Sequence, residues 1–470
     1  MSTAPPASSS HPRADGTSTP KPLAGLAVAA GPEAAPEVWP LTAETVAGEL
    51  HIGGVSVPAL AAACGTPLYV VDEADFRQRA RQWRASGADR VHYASKAFLC
   101  AETVRWVDAE GLHLDVCSYG EFDLAAGTGF DPARIVLHGN NKPPAELAAA
   151  VRRGIGVVVA DSLVEIGHLA AAARAAGRIQ DVYLRVTPGV EAHTHDYMAT
   201  GGDDVKFGFP LADGHAERAA LAVGAAPSLR LAGIHAHIGS QVLDTEGLRL
   251  AAERVAGFVR LLDQRHGVTV PDLDLGGGAG IPYLPGQARL DPGTFVRALR
   301  EGVGKVLDPD SVRLAVEPGR SIAGTAGITV YRVGVVKDGL RRRFVSVDGG
   351  MSDALRPSLY LARYTAWTAN RTLTGERLPS VVVGRHCESG DVVVPDLALP
   401  QDIAVGDLLA VPVTGAYHHV MASNYNHQPR PAVVAVADGA AKLLVHRETL
   451  ADLRRRDAGG TTVDLAAARP

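Results

Sequence analysis

The residues best suited to chemistry in this chain stand where short apolar runs stop. Lys96 follows VHYAS, and His138-Gly139-Asn140-Asn141 follows IVL. His235 and His237 lie in GIHAHI, Gly276-Gly277-Gly278 follows LDL, and Glu317-Pro318-Gly319-Arg320 follows RLAV. Desolvation lowers the pKa of a lysine held in a pocket, and the freed amine condenses with a carbonyl. Successive glycines let backbone N–H groups come close to a phosphate. A carboxylate such as Glu317 keeps an aromatic ring nitrogen protonated, and an imidazole such as His237 stacks on the ring. These residue types together suit a phosphorylated pyridine aldehyde, pyridoxal 5'-phosphate, used as an electron sink.

Other chemistries fit less well. The glycine triplet matches a dinucleotide fingerprint at Gly276 and Gly278, but Ile281 stands where the third glycine belongs. No Gly-Lys-Ser/Thr follows it, which excludes a P-loop. His235 and His237, two apart on a strand, point the same way and are spaced to hold zinc, as are His193/His195 and His418/His419. No third ligand lies near, so no metal is expected.

Residues that converge in this way need a scaffold that presents strand ends together. Eight runs read as strands, ending near Ser95, Val116, His138, Asp161, Val186, His237, Leu275 and Val316, and a helical segment fits after each of the first seven. Asp161-Ser162, opening LVEIGHLAAAARAA, is a capped helix start. Eight such units over about 250 residues predict a (β/α)8 barrel, whose chemistry sits at the carboxyl ends of its strands. A doubly wound sheet is the rival, and the missing Rossmann fingerprint favours the barrel. After residue 322 the runs ITVYRVGVVKD, RRFVSVDGG, LPSVVVGRHC, DLLAVPVTGA and PAVVAVADG are Val-rich and broken by Gly, Asp and Pro. They predict a C-terminal all-β domain. The expected division is a disordered tail over 1–38, a segment over 39–69 packing with the β-domain, the barrel over 70–321 and the β-domain over 322–470. The tail is assigned from its Ser, Pro, Ala, Thr and Gly content.

Composition excludes several function classes. A net charge of −5 offers nothing to a nucleic acid, and the runs Arg341–Arg343 and Arg454–Arg456 read as solvated surface. No apolar run is long enough to cross a bilayer, and KPLAGLAVAA near the start reads as tail rather than as a signal peptide. Four scattered cysteines do not make a disulfide framework, so a reducing, cytoplasmic setting is expected.

The motifs YASKAF (93–98), HGNNK (138–142), THDYMATGGDDVKFGF (194–209), HAHIGSQ (235–241), DLGGGAGIPY (274–283), EPGRSI (317–322), RPSLY (356–360), CESGD (387–391) and GAY…SNYN (415–426) follow one another over residues 60 to 435. In this order they resemble the diaminopimelate decarboxylase family, within the alanine-racemase-like, fold-type III pyridoxal-phosphate enzymes. The resemblance implies a carboxy-lyase that converts meso-2,6-diaminopimelate to L-lysine and CO2. It implies that Lys96 carries the cofactor and that His237 stacks on its ring. Ser240, Gly276, Gly277 and Gly278, with backbone of the loop through Gly319 and Arg320, resemble the phosphate cradle. Glu317 resembles the partner of the pyridine nitrogen, and Tyr417 a residue that reaches the phosphate from the β-domain. Arg320, Arg356 and Tyr360 resemble the clamp for the distal carboxylate, and Glu388 the acceptor for the distal ammonium. Cys387 resembles the acid that protonates the carbanion. In the family the Cys-Glu-Ser loop enters the neighbouring subunit's site, which implies a homodimer.

The residue types agree with that substrate. An arginine fork suits a carboxylate, and a buried ammonium needs a carboxylate partner. An ornithine-type substrate has no distal carboxylate, so Arg356 argues for the dicarboxylic one. The chain departs from the family pattern at Tyr119, at Ser352, and after Tyr360, where LARYTAWTAN replaces a Tyr-His pair. Three further readings stand beside the main one. The first is a same-fold decarboxylase for a related or modified amino acid. The second is a racemase, which needs a second base where this chain has Cys387. The third is a non-catalytic cofactor-binding regulator, which is expected to lack Lys96, Cys387 or the arginines.

Overall fold

The computed structural model describes residues 26–190 and 205–461. Eight parallel strands close into a barrel: Arg90–Ala94, His113–Val116, Ile135–Leu137, Val157–Ala160, Gln180–Thr187, Leu229–His235, Asp272–Asp274 and Arg313–Val316. The last strand pairs with the first through Val316 and Val91. Each strand is a short, mostly buried run, as parallel strands covered by helices must be. The sixth strand stops at His235, so His237 stands beyond it in the loop. Helices Ala101–Ala109, Tyr119–Gly127, Pro144–Arg152, Leu163–Ala175, His215–Gly224, Glu246–His266 and Pro292–Gly304 follow the first seven strands. Ser118, Ser162 and Asp291 cap three of them by accepting from the N–H groups of Glu121, Glu165 and Thr294. Asp161 accepts instead from the Gly208 N–H at 2.8 Å. Residues 194–204 of the motif at 194–209, and with them His195, lie outside the described residues, as does His193.

The second body is a ten-stranded sheet. Its hub is the long strand Gly327–Asp338, which pairs antiparallel with Arg343–Val347, Leu408–Pro412 and Leu68–Asp72. Leu68–Asp72 also runs parallel to Ala432–Ala437, so the chain passes through this sheet before it enters the barrel. The expected boundary at residue 70 therefore falls inside a strand. Val392–Pro400 is a strand that its Pro395 had hidden. The proline lies where its pairing with Arg377–Val383 shifts register, the place in a ladder where a missing N–H costs least.

The expectation of a disordered tail as far as residue 38 is corrected by the structure. Ala27–Val28 pairs in parallel with Leu397 and Ala398, and Pro36–Val38 forms a 3-10 turn. Val38 and Trp39 are buried, and the Trp39 indole donates to the Ala30 carbonyl at 3.0 Å. Compositional bias in the first 38 residues masked a few apolar side chains at its end, which suffice to order the segment against the sheet. Among the described residues no helix is long and apolar enough to cross a membrane.

Candidate active site

The carboxyl ends of the barrel strands meet a loop of the second sheet around a cavity of about 210 Å³. It is lined by Lys96, His237, Ser240, Gly278, Glu317, Gly319, Arg320, Arg356, Tyr360 and Tyr417, among others. Ten of the residues expected at the site are thus brought together. Gly276 and Gly277 stand directly beside them in sequence.

Lys96 lies in the 3-10 turn Ser95–Ala97 that ends the first strand. Its Nζ is 3.2 Å from the Asp115 carboxylate and 4.0 Å from Cys117 Sγ, and the side chain is 43% exposed. The expectation that desolvation would lower its pKa is overturned. Burial does act in that direction, but Asp115, with smaller contributions from Cys117 and Glu317, outweighs it and holds the ammonium well above its ordinary value. Asp115, fully buried at the end of the second strand, carried no signal in the sequence beyond being a carboxylate in an apolar run.

Glu317 is buried between two histidines. His138 Nε2 lies 2.9 Å from one of its oxygens and His235 Nε2 lies 3.4 Å from the other. Burial alone would raise the Glu317 pKa, but His138 and then His235 hold it well below the usual carboxylate range. Burial acts to lower His138, and Glu317 and Asp115 more than reverse that. The result is a carboxylate kept ionised in a dry place, as the partner of a ring N–H must be. His237 is different: burial, then the charges of Lys96 and Arg185, push its pKa down to about 3, so its imidazole is neutral. Its Nδ1 accepts from the Gly277 N–H at 3.3 Å.

The glycine triplet is required by close backbone approach. A Cβ on Gly277 would stand 2.0 Å from the Glu317 carbonyl oxygen, and one on Gly278 would stand 2.1 Å from that of Gly239. Gly276 and Gly278 also have φ of +71° and +104°. The Asp274 carboxylate accepts from the Gly276 N–H at 3.1 Å and so fixes the start of the turn. The Gly276 and Gly277 N–H groups are spent on Asp274 and His237 and shape the turn, while the backbone at Gly278 and Gly319 next to Ser240 lines the cavity and fits a phosphate. The lysine amine and ionised Glu317 fit the aldehyde and ring nitrogen of pyridoxal phosphate. Among the described residues Glu317 belongs to two clusters with metal-like geometry, one with His138 and His235 and one with His92 and Asp274; in each the histidines are already engaged by a carboxylate, Glu317 in the first and Asp274 in the second.

The opposite wall is built from arginine and tyrosine. Arg320 donates to Ser240 Oγ at 3.0 Å and to the Tyr283 hydroxyl, and lies 4.7 Å over the Tyr417 ring. Arg356, on the short helix Leu355–Tyr360, donates to Tyr283 at 2.6 Å and to Tyr364 at 3.1 Å. Its guanidinium lies 5.9 Å over Tyr360. Tyr364 belongs to the segment that departs from the family pattern, and its hydroxyl also contacts His418 Nε2 at 2.9 Å. Tyr417 has φ of +60°, and its N–H donates to the Ala97 carbonyl at 2.9 Å, tying the second sheet to the lysine turn. Tyr283 and Tyr364 were not singled out from the sequence. Tyr283 stood in the quoted GIPY run, and its partners lie 37 and 73 residues away.

Cys387 and Glu388 are exposed and do not line this cavity. Their loop is held from below: Asp391 accepts from the N–H groups of His386 and Met351, and His386 contacts Ser352 at 2.8 Å and Asn426 at 2.9 Å. Glu388 accepts from the Tyr425 hydroxyl.

A closed barrel that gathers a strand-end lysine, an ionised buried carboxylate and a glycine cradle in one cavity defines a fold-type III pyridoxal-phosphate enzyme. Residues 73–324 match the model of the pyridoxal-dependent decarboxylase, pyridoxal binding domain. A diaminopimelate decarboxylase of Actinosynnema pretiosum subsp. auranticum is 50% identical over 424 residues, which is 89% of this chain and 95% of that one. One from Mycobacterium tuberculosis is 48% identical over 439 residues, 89% of this chain and 97% of the relative. The crystal structure of diaminopimelate decarboxylase from M. jannaschii in complex with L-lysine superposes with a TM-score of 0.82 at 31% identity, covering 88% of this chain and 97% of that one. The chain belongs to the diaminopimelate decarboxylase family of pyridoxal-dependent decarboxylases.

Proposed function

We propose that this protein decarboxylates meso-2,6-diaminopimelate to L-lysine and CO2, the last step of lysine biosynthesis, as a cytoplasmic homodimer. The observation that carries the substrate is the pair Arg320 and Arg356. They are 8% and 4% exposed, and among the described residues their hydrogen-bond partners are the hydroxyls of Ser240, Tyr283 and Tyr364, with no carboxylate among them. Two buried guanidinium groups without a counter-ion, on the wall of the cofactor cavity, call for an anionic ligand. A distal carboxylate answers that need by bidentate pairing.

The geometry supports the following roles. Pyridoxal phosphate supplies an electron sink for the carbanion left when CO2 departs. Lys96 would hold it covalently, Glu317 would keep its ring nitrogen protonated, and neutral His237 would face the ring without adding charge. Gly278, Ser240, the Gly319–Arg320 backbone and Tyr417 take the phosphate, and Gly276 and Gly277 shape the turn beside it. Arg320, Arg356 and Tyr360 orient the substrate by its far end. Cys387 protonates the carbanion and Glu388 takes the distal ammonium, both in the pocket of a second copy. This assignment is supported by the exposure of the two residues and by the anchoring of their loop on His386 and Asp391. Residues 322–470 are assigned to the β-domain that carries this loop, and residues 39–69 to a segment that packs with it. Four unpaired cysteines suit a reducing compartment.

The test is CO2 release from purified, cofactor-loaded protein supplied with meso-diaminopimelate, with L-lysine identified as product. Turnover is expected, with ornithine, arginine and lysine inert. Release of CO2 from one of those three instead, with none from diaminopimelate, would overturn the substrate.

A further inference from the structure

Tyr283 sits between the two arginines and has a bonding problem that neither solves. Its oxygen receives one N–H from Arg356 Nη1 at 2.6 Å and one from Arg320 Nη1. A guanidinium has no lone pair to offer in return, so neither neighbour accepts the phenolic proton. Among the described residues no acceptor for that proton is found. The tyrosine cannot turn away, because Gln287 accepts from the backbone N–H groups of both Tyr283 and Leu284, and the ring stands edge-on to Tyr364 at 5.3 Å.

We propose that Tyr283 is a positioning residue that sets the charge and spacing of the distal-carboxylate clamp: as a phenol it bridges two guanidinium groups into a doubly positive fork, and as a phenolate it neutralises one charge and closes the fork to substrate. This rests on the reading of Arg320 and Arg356 as the distal clamp. The bridge matters because the arginines enter from different elements, the turn after the eighth barrel strand and the helix Leu355–Tyr360. Like charges so placed repel, and one shared acceptor holds them side by side.

The surroundings decide which phenol titrates. The groups facing Tyr283 are Arg320, Arg356 and Tyr364, with Tyr417 and Tyr360 stacked on the arginines and His418 behind Tyr364. Burial raises the Tyr283 pKa, but the two guanidinium groups outweigh it and bring it below its ordinary value of roughly 10. For Tyr364 burial wins and the pKa is raised, while His418, held at about 3 mainly by burial, stays neutral. Tyr283 therefore loses its proton first as pH rises. The sign follows: affinity for a carboxylate is full at neutral pH and falls as pH climbs through the Tyr283 pKa.

The experiment compares cofactor-loaded wild-type and Tyr283→Phe protein with meso-diaminopimelate between pH 6.5 and pH 10, reading KM and kcat separately. At neutral pH the variant should show KM raised about tenfold, the size expected for one lost hydrogen bond to a charged group. The KM ratio of variant to wild type should then shrink toward one as pH rises, because only the wild type closes its own clamp. Titration of the substrate's amines affects both proteins alike and cancels in the ratio. Inhibition by L-lysine, which keeps the distal carboxylate, should follow the same ratio, while cadaverine, which lacks it, should show none. Absence of turnover by the wild type overturns the substrate reading and this role with it. Turnover with a KM ratio that stays constant across pH overturns the role of Tyr283 alone.

Discussion

At the scale of single residues, the chemistry is set by which of two opposed effects, desolvation or a neighbouring charge, wins at each group of the cavity. Burial disfavours charge on Lys96, Glu317 and His138 alike, and in each case an opposite charge within 3.7 Å reverses the outcome. His237 has cations near it instead, and there the two effects add. Asp115 is thus a lock on Lys96: before the amine can attack a carbonyl, its proton must leave a site that favours it. The Lys96 pKa lies above its unfolded value, so the pair's contribution to folding is full at neutral pH and lost only above the folded value. Asp115→Asn removes the largest charge opposing burial and leaves only the smaller contributions of Cys117, Glu317 and Tyr417. Uptake of pyridoxal phosphate by the stripped protein, followed by absorbance, should then have a pH midpoint lower by about one unit or more than in the wild type. An unchanged midpoint would show that Asp115 does not govern the lysine.

At the scale of elements, the loops after strands six, seven and eight act as one part. Gly277 packs on the carbonyl of Glu317, Gly278 on that of Gly239, and Gly319 against Ala94. A side chain at any of these contacts forces the neighbouring segments apart, and each loop carries a residue that lines the cavity. Gly277→Ala places its methyl 2.0 Å from a backbone oxygen that has no rotamer to escape into. Cofactor dissociation measured by dialysis should accelerate by about tenfold or more, the factor that follows from roughly 1.4 kcal/mol of lost binding. Retention equal to wild type would mean that the loops yield without loss. The segment after Tyr360 is legible at this scale too. Its departure from the family pattern marks the place where the Tyr364 hydroxyl accepts from Arg356.

At the scale of the whole molecule, one chain presents most of a site and a separate pair of residues facing outward. In the proposed two-fold dimer each loop would fill the other pocket and so join the two. Mixing inactive Lys96→Ala with inactive Cys387→Ala and allowing subunits to exchange tests this directly. Random exchange makes half the dimers mixed, each with one intact site, so about a quarter of wild-type turnover should return. If Cys387 served its own chain, no activity would return on mixing.

The sequence by itself determined the scaffold and the first set of chemical groups. Strands and helices are local, their periods and caps are written in neighbouring residues, and a barrel puts every strand's last residues at one end. Lys96, Glu317 and the glycine triplet could therefore be placed together without knowing any distance. What the tertiary structure decided is how those groups are charged and what stands behind them. Asp115 lies 19 residues from Lys96, and Tyr283 bridges arginines 37 and 73 residues away. Such pairings leave no periodic trace, because they depend on which strand ends become neighbours when the barrel closes and on which loop of the second sheet covers it. The buried tail over 26–38 belongs with them, since a few apolar residues in a polar stretch order only when a sheet edge is there to receive them.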